Sequence, residues 1–217
     1  MEGEGQSAAQ RAANRTLVAV DFYPDGGADV TVEREQMIDR LFADLVDSES
    51  VLRKLCEIKA TVAYAEARGQ DPLTVVELGF VFAGPPGTGK TTVARRMGAF
   101  YEMLGLLPSA EVVQCTATDL ITGYAGQAGK QTRKIFESAR GKVLFIDEAY
   151  RLDPRKGEAF VQQSVDEMVN LLTEDEFKGK MLVILAGYED EMEEMLQVAE
   201  LEIQTLSSTH CSARRAG

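Results

Sequence analysis

Histidine is almost absent from this chain, with one in 217 residues, and cysteine is scarce, with three. Cys56, Cys115 and Cys211 are too few and too scattered for a disulfide framework or a zinc site. His210 stands beside Cys211, but two adjacent residues with no other cluster read as tail rather than metal site. A reducing, intracellular compartment, taken as the cytoplasm, follows as the default. Long apolar runs are also missing. None approaches the about 18–20 residues a membrane helix needs. The segment Met1 to Ala13 is polar and lacks the apolar centre of a secretory signal. Positive charge is in deficit, with 23 Lys and Arg against 35 Asp and Glu, a net −12. That balance excludes a nucleic-acid binder working by electrostatics alone, so neither nucleic acid nor membrane is expected as a partner. No internal repeat or low-complexity stretch stands out. What is present is an ordinary globular mix, 45% hydrophobic and 27% charged, enough for one domain and a short extension.

The apolar pattern divides the chain. Residues 1–15 are small and polar and read as disordered. Residues 16–48 form an N-terminal extension: a short strand over Thr16 to Tyr23, a turn at Pro24-Asp25-Gly26-Gly27, and helical spacing from Glu33 to Val46. Residues 49–203 carry the main domain. A helix capped at Asp47 or Ser48 should end near Gly69. Four short runs without a polar face then read as strands buried on both sides: 79–83, 112–115, 143–146 and 181–186. Helical segments near 91–104, 129–139 and 159–172 separate them. This alternation predicts a parallel α/β sheet with right-handed crossovers. An acidic helix follows, with Met192, Met195, Leu196, Ala199 and Ile203 on one side, and residues 204–217 read as a loose tail.

Two motifs carry chemistry. Gly84-Pro85-Pro86-Gly87-Thr88-Gly89-Lys90-Thr91 satisfies G-x-x-x-x-G-K-[ST] in full, between a predicted strand and a predicted helix. Its glycines let successive N–H groups turn inward around a polyphosphate, and the helix N-terminus favours the anion. Lys90 supplies a charge to the outer phosphates, the Thr91 hydroxyl can ligate Mg²⁺, and Thr92 completes the nucleotide-binding set. Val143-Leu144-Phe145-Ile146-Asp147-Glu148 brings a carboxylate pair to a strand end, the edge where open α/β sheets place ligands. Asp147 would hold the metal and Glu148 would polarise the attacking water. A kinase has less need of that glutamate, and a GTPase would carry an N-K-x-D reader, which is missing. ATP hydrolysis is the leading chemistry, with Lys90 and Glu148 as its catalytic pair.

FAGPPGTGKTTVARR (82–96), DLITGYAGQAGKQTRKIFESA (119–139), VLFIDEAYRL (143–152) and LVILAGYEDEM (182–192) together resemble an AAA+ ATPase domain. The nearest likeness is to the CbbX-like group, with red-type rubisco activases and stage V sporulation protein K-like proteins. The resemblance implies a P-loop NTPase three-layer α/β/α sandwich with a parallel sheet, a small helical lid and a hexamer of self-associated or related AAA+ subunits. It implies ATP-driven remodelling of a client protein threaded through a central pore. Tyr124, between Gly123 and Gly126, falls where the family places an aromatic loop that grips the client. Tyr188 falls where other members put a polar sensor of the γ-phosphate, more commonly Asn or Thr.

After Leu196 the family would continue to an arginine finger, a fifth strand and the lid. This chain instead reads VAELEIQTLSSTHCSARRAG, so a truncated or alternative C-terminus is expected. The fifth strand and lid would then be missing, one edge of the sheet would be open, and hydrolysis by the isolated chain would be slow. The alternative function is a nucleotide-binding interaction module that hydrolyses little or nothing. A P-loop kinase is a third, weaker reading.

Overall fold

The computed structural model describes residues 41–42, 49–121, 128–156, 159–198 and 209–212. All but Leu41 fall in one compact unit, Phe42–Gly217; of the other unit, Met1–Leu41, only Leu41 is described. The strand expected at 16–23 lies outside these residues. Of the helix expected at 33–46, Leu41 and Phe42 are described, and both are helical.

The three inner strands form where the sequence is apolar without interruption. β1 (Gly79–Ala83) is buried at every residue, β3 (Val143–Asp147) at all but its last, and β4 (Leu182–Gly187) throughout. β2 (Val112–Thr116) is half-exposed, as an edge strand should be. Helices α1 (Glu49–Ala67), α2 (Lys90–Met103), α4 (Ala128–Ala139), α5 (Ala159–Thr173) and α6 (Glu189–Val198) alternate with them. A four-residue helix, α3 (Ala117–Leu120), leaves β2 directly through a capping box between Thr116 and Asp119.

The sheet order is β2-β3-β4-β1-β5, every pairing parallel. Alternation along each strand gives it two faces. Val81, Leu144, Ile146, Val183 and Leu185 share one core with Phe136 of α4, Val165 and Met168 of α5, and Met192 and Met195 of α6. On the other face Phe80 meets Tyr101 of α2 edge-on, ring centroids 6.3 Å apart. The chain thus has the expected P-loop α/β architecture.

The expectation of a missing fifth strand is corrected. Thr209–Ser212, within the segment read as a loose tail, forms β5 and pairs with β1 from Phe80↔Thr209 to Ala83↔Ser212. The edge of β1 is covered rather than open. The reason is that a parallel ladder is built from backbone N–H and C=O groups, which any non-proline residue supplies. Four polar residues on an edge therefore pair without an apolar signature. The backbone of His210 and Cys211 belongs to this strand.

One close approach sets how α2 lies on the sheet. A Cβ on Gly98 would stand 2.8 Å from the Ala110 carbonyl oxygen and 2.9 Å from Val143 Cγ2. Gly98→Ala gains about 1 kcal/mol of helix propensity. Overpacking against backbone costs about 1–3 kcal/mol and wins. The expected result is a lower urea midpoint with unchanged m-value; a raised midpoint would mean that the helix shifts freely at this contact.

Candidate nucleotide site

The site grows from the C-terminal edge of the sheet. Ala83 ends β1 and the chain turns at once into Gly84–Gly89. Gly87 and Gly89 take φ values of +76° and +85°, a left-handed region that side chains disfavour. These two turns wrap the backbone into a loop. Gly89 then caps α2 with no side-chain bond, leaving the first helical N–H groups for a ligand. The Gly84 N–H donates to the Gly187 carbonyl at 3.1 Å, which ties the loop to the end of β4. The Thr88 hydroxyl donates to the Pro85 carbonyl at 2.9 Å and closes the loop from within.

Lys90 folds over this loop. Its ammonium donates to the Gly84 carbonyl at 2.8 Å and the Pro85 carbonyl at 3.0 Å. Partial burial pulls the ammonium below its ordinary value, and the charge of Asp147 opposes that shift. The Asp147 charge thus reaches Lys90, although one residue ends β3 and the other opens α2. Pro85, Pro86 and Gly87 are exposed, Thr91 is half-buried and Thr92 exposed.

Asp147 closes β3, in register with Thr116 of β2. Its Oδ1 accepts the N–H of Glu148 at 2.9 Å. Glu148 has a φ of +52° and is the only non-glycine residue with positive φ among the described residues. That conformation costs a residue with a Cβ about 1–2 kcal/mol and turns the chain out of the strand into a 3-10 turn, Ala149–Leu152. Arg151, on this turn, pairs with Glu148, Nε to Oε2, at 2.8 Å. Its guanidinium is held above its ordinary value chiefly by the Glu148 charge and then by a hydrogen bond with Tyr150. Beyond the turn, buried Asp153 is gripped by the Arg155 side chain at 2.8 and 3.0 Å, and Arg155 also donates to the Glu194 carbonyl of α6. The segment after Glu148 is therefore anchored.

The sequence-predicted residues Gly84–Thr92, Asp147, Glu148 and Tyr188 all follow or end strands at one edge of the sheet. Tyr188 is exposed, its ring stacked on Tyr150 at 5.6 Å. Tyr124 lies outside the described residues. Arg151 joins this group through its pairing with Glu148 and is not among the sequence-predicted residues. Its signal was a cation three residues after a glutamate, a spacing that pairs side chains on a helical turn. Cys115 takes no part: burial pushes its thiol up to about 12.

For a metal, the candidates are the Thr91 hydroxyl and the Asp147 carboxylate. No group of three or more metal-ligating side chains occurs among the described residues. Two oxygen donors beside a phosphate loop fit Mg²⁺, which keeps several waters and takes the remaining ligands from substrate phosphates.

The model of the ATPase family associated with various cellular activities (AAA) matches residues 80–204. A chloroplastic cbbX homolog from Guillardia theta is 35% identical over 73% of this chain and 43% of its own length. The chloroplastic ribulose bisphosphate carboxylase/oxygenase activase of Cyanidioschyzon merolae is 34% identical over 77% of this chain and 56% of its own. Stage V sporulation protein K of Bacillus subtilis is 32% identical over 74% and 50%. The chain spans about half the length of these curated relatives. Among solved structures, the FIGL-1 AAA domain in complex with ADP shares the fold, with a TM-score of 0.54 and 20% identity over 81% of this chain and 56% of that one. The chain belongs to the AAA family of ATPases, and its relatives place it in the CbbX-like group.

Proposed function

We propose that this chain binds ATP with Mg²⁺, hydrolyses it, and uses the turnover to remodel a client protein within a ring of like or related subunits. The observation that carries the chemistry is a phosphate loop leaving β1 and a carboxylate pair at the end of β3, two strands that flank β4 in one parallel sheet and so deliver both to one edge. The loop N–H groups and Lys90 hold the phosphates. Thr91 and Asp147 would hold the metal, which when bound offsets phosphate charge. Glu148 takes the proton of the attacking water. Tyr188 touches the outer phosphate end, and Tyr124 contacts the client. No described helix is long and apolar enough to cross a membrane. We place the protein inside the cell, with ATP or ADP as its small-molecule partner and no nucleic acid.

One observation favours the second reading, a binding module with slow turnover. Arg133, Arg140, Arg151 and Arg155 are each paired with a carboxylate of this chain, so these four are engaged at home rather than offered to a neighbour's nucleotide. Such an arginine can be worth about 10³–10⁵ in rate. Slow hydrolysis by the isolated 217 residues is expected on this ground.

Phosphate release from ATP, followed with and without EDTA, tests the reading. Turnover that appears with Mg²⁺ and disappears with chelator is expected. ATP binding without any release, even at high protein concentration, would leave the binding module in place of the hydrolase.

A further inference from the structure

Glu148 is held by more than its place after Asp147. The left-handed backbone at Glu148 sends the chain into a 3-10 turn, and the Arg151 N–H donates to the Glu148 carbonyl at 3.0 Å. In such a turn there are three residues per revolution, so side chains three apart lie over one another. The Arg151 guanidinium therefore comes to rest on the Glu148 carboxylate and takes Oε2 at 2.8 Å. No second side chain holds this carboxylate among the described residues, so Oε1 is left for another partner.

Arg151 is itself steadied. Its guanidinium lies over the Tyr150 ring, 5.9 Å from the centroid. Tyr150 stacks on Tyr188, 28° between planes, one residue beyond the Gly187 carbonyl that receives the phosphate loop's first N–H. A Cβ on Gly187 would lie 3.0 Å from Tyr150 Cδ1, so the ring is packed closely against the end of β4.

We propose that Arg151 is a positioning residue for ATP hydrolysis: it fixes one oxygen of Glu148 so that the other is presented to the attacking water. This rests on the hydrolase reading above. An exposed ion pair adds little to folding stability, so a merely structural Arg151 could be removed almost without effect. Positioning has a different scale, because a displacement of about 1 Å at a reacting group can cost about 10²-fold in rate. A carboxylate with one oxygen pinned keeps fewer orientations than a free one, and a planar guanidinium held against the Tyr150 ring supplies that restraint better than a flexible ammonium.

The test is a double-mutant cycle on the full 217-residue chain, read by single-turnover hydrolysis and by calorimetric titration with ATP–Mg²⁺. Arg151→Ala should lower the hydrolysis rate about tenfold, well inside the positioning range, with ATP affinity within about twofold of native. In a Glu148→Gln background, where the restrained carboxylate is gone, the same substitution should cost less than about twofold. Arg151→Lys should recover part of the loss by restoring the charge. An unchanged rate in Arg151→Ala overturns the inference. So does a faster rate, an equal loss in both backgrounds, or a parallel loss of ATP affinity. If the native chain binds ATP but does not hydrolyse it, the hydrolase reading itself fails, which the native control shows separately.

Discussion

Lys90→Ala is expected to weaken ATP–Mg²⁺ binding by about 10- to 150-fold, from about 1.5–3 kcal/mol for one hydrogen bond to a charged group. The lysine is the only side-chain cation placed on the loop among the described residues. Its present partners are two loop carbonyls, Gly84 and Pro85, and it would exchange them for phosphate oxygens. The Pro85 carbonyl lies where water can replace the ammonium, and the Gly84 N–H keeps its bond to Gly187, so the substitution should leave the fold intact. The helix start and the loop N–H groups remain, which is why some affinity should survive. Calorimetric titration checks the affinity, and a thermal unfolding curve without nucleotide checks the fold. Unchanged affinity in a folded variant would remove the phosphate loop from the argument.

The parts of this molecule that were readable in advance are those where one physical cause dominates. β4 is buried at all of Leu182–Gly187, and burial on both faces leaves a run that no amphipathic helix would carry. The phosphate loop was readable because its backbone demands glycine where φ is positive, at 87 and 89. β5 was not, because an edge pairing through backbone alone imposes nothing on Thr209–Ser212 that a tail would not also show. α3 was also passed over, although Thr116-x-x-Asp119 is a capping signature: both the Thr116 N–H and its hydroxyl reach Asp119 Oδ2 at 2.7 Å. The positive φ at Glu148 has no composition signal at all. Glutamate is a poor choice for that conformation, and local strain of this kind gathers at functional sites. The pairing with Arg151 depends on it, since the turn that brings residue 151 beneath residue 148 begins there.

Glu148→Gln should slow hydrolysis by about 10²–10⁴-fold, the range for losing a positioned general base, while ATP affinity stays within about twofold. The amide has the size and shape of the carboxylate and can still approach a water. It has no charge to draw the proton away, and it cannot accept the proton at neutral pH. Asp147 is poorly placed to substitute. One of its oxygens already accepts the Glu148 N–H at 2.9 Å, and in the proposed site its charge would serve Lys90 and the metal. The two carboxylates also leave the strand differently. Asp147 ends β3, whereas Glu148 opens the 3-10 turn with a left-handed backbone, so the two carboxylates stand on different local frames. The loss should fall on the chemical step, so nucleotide should accumulate as bound ATP rather than ADP. Rapid quench of a single turnover reads this directly, by the ATP fraction that remains on the protein. A variant that converts bound ATP at the native rate would reduce Glu148 to a solvated acid at a strand end, and Arg151 to the surface partner of that acid.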